Sequence, residues 1–188
     1  MLSPTHRLRL PLPDRHGDWK LTVEPRAWPT GSRDVTFLRQ RVAGRWITWM
    51  SNHEIELAWT QQLADRTVGD HILIGGLGLG LLPQLLLRQP GRTVLVLENA
   101  PEVIDLVTRD WYMPVGLMVQ QADVWEFLRY APSAPRYDTI IMDIWSMVDE
   151  AARREIARLR QLAEPWLQPG GQYVAWGDVS TSPVIPQI

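Results

Sequence analysis

A sequence of 188 residues, 45% of them hydrophobic and 21% charged, has the size and make-up of one folded domain with a full core, which excludes a disordered or fibrous chain. Nineteen Lys and Arg against 21 Asp and Glu leave a formal charge of −2, too little positive charge for general nucleic-acid coating. The chain has no cysteine, which removes disulfides and thiolate chemistry, and its single lysine, Lys20, precedes every core-like segment, so neither a Walker-type phosphate loop nor an internal Schiff base is expected.

Residues 1–16 contain Pro4, Pro11 and Pro13 and are expected to be irregular. Strands are predicted at Trp19–Glu24 and Asp34–Val42, with a turn at Gly44 and a return strand Arg45–Met50. Ser51 and Glu54 have capping-box spacing, which predicts a helix to about Arg66 that buries Ile55, Ala58, Trp59 and Leu63. From Asp70 onward strands and helices alternate. Strands are predicted at His71–Ile74, Thr93–Glu98, Leu117–Gln120, Asp138–Met142 and Gln172–Trp176; the helices between them are Leu81–Arg88, one opened by Pro101, Val124–Tyr130 and Val148 to about Glu164. This alternation predicts an α/β fold, a Rossmann-like, doubly wound and mainly parallel sheet of order 3-2-1-4-5, with a small β-rich cap at the N-terminal end. Residues 1–50 would form the arm and cap and residues 51–188 the Rossmann-like unit, together one compact body.

The arm and cap carry nine Lys and Arg against four Asp and Glu, either a solvated basic face or a collar for an anionic substrate. No signal-like or membrane-length apolar run occurs, so a cytoplasmic location without membrane contact is expected. His6, His16, His53 and His71 lack metal-ligand spacing, and no metal site is expected.

Gly75 to Gly80 joins a buried strand to a helix, where glycines allow a sharp turn and close approach of a ligand to the backbone. Leu81 stands where the dinucleotide pattern G-x-G-x-x-G needs its third glycine. Gly76, Gly78 and Gly80 fit instead the tighter G-x-G-x-G of nucleoside-cofactor methyltransferases, with Leu77 between them. Glu98 ends the next strand, 22 positions after Gly76 and followed by Asn99. There it can accept hydrogen bonds from both ribose hydroxyls, or favour the dipole of the next helix. Asp123, with Val124, opens the helix after the third strand and can cap it or accept an exocyclic adenine amine. Asp143 ends the fourth strand at the switch point of the sheet and is the leading catalytic candidate, with Trp145 as a wall.

The run from about Asp70 to Trp176 resembles the class I S-adenosylmethionine (SAM)-dependent methyltransferases, most closely their spermidine-synthase-like branch. The similar segments are Ile72 to Gly76, Ala122-Asp123 with Phe127-Leu128, Tyr137 to Asp143, and Leu167 to Gly171. The resemblance implies SAM as cofactor and methyl transfer to an oxygen or nitrogen of a small acceptor. Aminopropyl transfer by the same pocket, or a non-catalytic scaffold, are the alternatives. Against aminopropyl transfer, Gly78 stands where that branch carries a loop aspartate, and Ser146-Met147 where it carries a second acid. His53-Glu54 is similar to the branch's gate helix, so Trp49, Ser51, His53 and Glu54 are expected near the acceptor or the gate. Ile74 replaces an acid that most of the superfamily places there, and Glu54 is one candidate partner for the amino-acid end of SAM. The few residues after the fifth strand leave a sheet edge that the N-terminal strands or a homodimer would cover.

Overall fold

The computed structural model describes residues 8–28, 31–111, 113–130, 132–133 and 136–176. The first part is an antiparallel sheet of order β1-β2-β3-β4, made of β1 (Asp14–His16), β2 (Trp19–Trp28), β3 (Gly31–Val42) and β4 (Arg45–Ser51). Ala43 and Gly44, both at positive φ, make the two-residue turn between β3 and β4. Such a turn matches the right-handed twist of the strands it joins. Pro25 is tolerated in β2 because it lies beyond the reach of the three-residue β1, where one side of β2 has no described neighbour.

β1 was not expected, since the predicted irregular stretch ran to residue 16; residues 1–7 of that stretch lie outside the described residues. The sequence Asp-Arg-His has little strand propensity of its own. It is held by α3 (Pro101–Thr108) and the residue after it: His16 Nδ1 lies 3.0 Å from Asp105 Oδ2, and Arg109 pairs with Asp14 and Asp105.

The helix α1 (Glu54–Arg66) corrects a second expectation. Its N-cap is His53, not Ser51, and no side chain caps it. Ser51 is still paired with Phe37 in the sheet, so the helix cannot begin there. Its buried face turns accordingly to Trp59, Thr60, Leu63 and Ala64, while Ile55 and Ala58 are exposed.

The second sheet is parallel, of order β7-β6-β5-β8-β9, from β5 (His71–Gly75), β6 (Thr93–Glu98), β7 (Leu117–Gln121), β8 (Tyr137–Met142) and β9 (Leu167–Ala175). Numbered within this sheet from β5, the order reads 3-2-1-4-5. β9 starts earlier than predicted: Leu167 already pairs with Tyr137, and a register irregularity then carries the Pro169-Gly170-Gly171 turn inside the strand. Alternate residues of the strands feed two cores. Ile72, Ile74, Val94, Val96 and Ile141 pack with α1, α2 (Leu81–Leu86), α3 and Leu21 and Leu38 of the cap. Leu73, Leu97, Ile140 and Met142 pack with α4 (Val124–Arg129) and α5 (Glu150–Ala163). Among the described residues no helix is long and apolar enough to cross a membrane.

Candidate functional site

The C-terminal ends of β5, β6 and β8 meet around the glycine loop. Gly76 N donates to Leu97 O at 2.8 Å, and Asp143 N donates to Gly75 O at 2.9 Å. Gly76 has φ 94°, and a Cβ there would stand 2.3 Å from the carbonyl oxygen of Asp143, so only glycine lets the loop lie against the end of β8. Glu98 ties the same loop to the next one: its Oε2 accepts from Leu77 N and its Oε1 from Ala100 N, each at 2.9 Å. Burial raises the Glu98 pKa, opposed by these amides and that of Asn99.

Above this junction lies a cavity of about 690 Å³. Gly76, Gly78, Glu98, Asn99, Asp123, Val124, Asp143 and Trp145 line it from the parallel sheet, and Trp49 from the cap. Asp123 is at once a lining residue and the cap of α4, its Oδ1 accepting from Trp125 N at 2.7 Å and Glu126 N at 3.3 Å. Trp145 is fixed by donation from Nε1 to Glu155 Oε2 at 2.8 Å, and Trp49 by donation to Gln40 Oε1 at 3.0 Å. Asp143 keeps some accessible surface because it opens on the cavity, but its carboxyl is otherwise enclosed by protein. Burial, and then the negative charge of Glu56, push its pKa up to about 7.

The other expected residues lie elsewhere. The side chain of Leu77 is core, and only its amide takes part, through Glu98. Gly80 does not line the cavity; it opens α2 in the left-handed region, where a Cβ would be 1.9 Å from the ring of Trp111. Ser51, His53 and Glu54 also stay outside it. Instead Glu56 reaches in, with Trp19, Met50 and Trp59 beside it. Met50 covers the glycine loop, its Sδ accepting from Leu79 N at 3.1 Å. A signal for Glu56 was present: it shares the i, i+3, i+4, i+7 spacing with Trp59, Thr60 and Leu63, and a helix begun two residues later faces all four inward.

Packing at Gly80 can be tested by itself. Gly91 also has positive φ but faces open space, so Ala there pays the backbone strain alone. Gly80→Ala is expected to cost roughly 1–3 kcal/mol more than Gly91→Ala, a melting temperature lower by about 2–12 °C in a chain of this size. Equal melting temperatures by calorimetric scan would mean that Trp111 moves aside freely.

No protein-family model matches the sequence, and no curated protein sequence matches it. Among solved structures, an S-adenosylmethionine-dependent methyltransferase from Mesorhizobium loti aligns over 66% of this chain and 53% of its own, with TM-score 0.50 and 18% identity. The chain shares the Rossmann-like fold of that structure. Human methyltransferase-like protein 13 aligns over 61% of this chain and 56% of its own at TM-score 0.46 and 19% identity. Aeropyrum pernix fibrillarin aligns over 90% and 78% at TM-score 0.48 and 17% identity. The chain spans about half the length of the first two.

Proposed function

We propose that this chain is a SAM-dependent methyltransferase acting on an oxygen or nitrogen of a small acceptor. The observation that carries the reading is Glu98, a half-buried carboxylate that joins the glycine loop to the end of β6 at the edge of the cavity. Each of its oxygens accepts one backbone amide, and a carboxylate oxygen has a further lone pair for a ribose hydroxyl. The glycine loop, which lines the cavity at Gly76 and Gly78, and a volume in the range of small-molecule sites fit a nucleoside of this kind. When bound, SAM supplies a methyl group on a positively charged sulfur that leaves as a neutral thioether.

The remaining work falls to the chain. Asn99, Asp123 and Val124 border the space for the base beyond Glu98. Trp49 and Trp145 exclude water and fix the line of approach, which is the main means of accelerating such a displacement. Asp143, at the mouth of β8, orients the acceptor and takes its proton; a pKa of about 7 suits a base at neutral pH.

Calorimetry with SAM, its demethylated product, decarboxylated SAM and NAD tests the reading. Binding of SAM and its product is expected. Binding of decarboxylated SAM alone would turn the assignment to aminopropyl transfer, and binding of none of the four would leave a scaffold. A screen of metabolite extracts with methyl-labelled SAM then identifies the acceptor.

A further inference from the structure

We propose that Glu56 and Asp143 form a subsite for a protonated amine inside the cavity, a role that rests on reading the cavity as the methyl-transfer site. The two carboxyls come from different parts of the fold, one from the first turn of α1 and one from the end of β8, yet both line the same cavity. Among the described residues no Arg or Lys lines it with them. The carboxyl of Asp143 accepts no hydrogen bond from a described residue although protein encloses it, which is costly unless a ligand answers it. Glu56 is held but not used up: Ser51 N and Ser51 Oγ both donate to its Oε2, and neither bond involves Oε1.

The chemistry that suits two such groups is a cation with several donors. An ammonium carries three N–H groups, enough to bond to both carboxyls, and its charge offsets the burial and, after it, the repulsion from Glu56 that raise the pKa of Asp143. Trp59 and Trp145 line the same space, and indole faces attract cations. A neutral alcohol or a phosphate would leave one or both carboxyls without a partner. The ammonium has two sources in a methyl-transfer site, the amino-acid end of the donor or an amine acceptor.

Four probes separate them on wild type and Glu56→Gln, a change that keeps an oxygen for the Ser51 bonds. The demethylated product of SAM carries the ammonium, whereas 5′-methylthioadenosine has the same nucleoside thioether without it. Benzylamine and benzyl alcohol make the same contrast for an acceptor, measured with 5′-methylthioadenosine present and absent. Glu56→Gln is expected to weaken one ammonium ligand by at least tenfold and to leave both neutral counterparts within twofold. Loss for the demethylated product assigns the donor's amine, and loss for benzylamine the acceptor's. Unchanged affinities in the folded variant, or wild-type protein that binds neither ammonium ligand, overturns the proposal. Failure of 5′-methylthioadenosine to bind wild type, with benzylamine still sensitive to Glu56→Gln, overturns the nucleoside reading and leaves the amine subsite standing.

Discussion

Asp143→Asn is expected to raise the melting temperature at pH 8 while slowing methyl transfer by ~10²-fold or more. The two effects have one cause. Folding moves the Asp143 carboxyl into a poorly solvated cavity beside Glu56 and raises its pKa from the ordinary 3.8 to about 7. The folded chain therefore holds this proton more tightly than the unfolded chain. Its contribution to stability is full below about 3.8, declines as pH rises, and is lost once pH passes about 7. Above that pH the folded protein carries an unpaired buried charge that Asn does not. The stability difference between variant and wild type should be near zero at pH 4 and grow to roughly 1–3 kcal/mol at pH 8. Asn cannot take a proton from the acceptor, so the gain in stability comes with a loss of chemistry. Melting curves from pH 4 to 8 and single-turnover rates on one preparation decide the matter. A difference that does not vary with pH would deny the buried charge, and a wild-type rate in the stable variant would sink the assignment of Asp143 as base.

The second large effect is at Glu98. Glu98→Ala should weaken SAM binding by roughly 2–4 kcal/mol, about 30- to 1000-fold, because two hydrogen bonds to a charged acceptor are lost and water replaces them in part. The same change frees the amides of Leu77 and Ala100, so some loss of thermal stability accompanies it. Titration well below the melting temperature separates the two. An unchanged dissociation constant would remove Glu98 from the ribose.

The parallel sheet was legible because its strands are short apolar runs, such as Ile72-Leu73-Ile74 and Ile140-Ile141-Met142, separated by glycine and proline signals at each change of element. The glycine loop, Glu98, Asp123 and Asp143 fall at strand ends, and strand ends are what such patterns locate best. The start of α1 was not legible. Ser51-x-x-Glu54 satisfies the local capping pattern, but the pairing of Ser51 with Phe37 is a tertiary contact that local spacing does not contain. That displacement of two residues exchanged Glu54 for Glu56 in the cavity. β1 was invisible for a similar reason, since Asp14 and His16 gain their partners from Asp105 and Arg109, some ninety residues on.

The two sheets also differ in when they can be completed during synthesis. Each strand of the cap pairs with its immediate neighbour in the chain, so the ribosome can release it already zipped. β5 is placed otherwise: β6 can cover one edge soon after it emerges, but the other waits until residue 139 follows residue 72 into register. For that interval the nascent chain presents a bare apolar strand edge, a template for pairing with another unfinished copy. The step most exposed to aggregation, and to chaperones, is therefore the docking of β8, the strand that delivers Asp143.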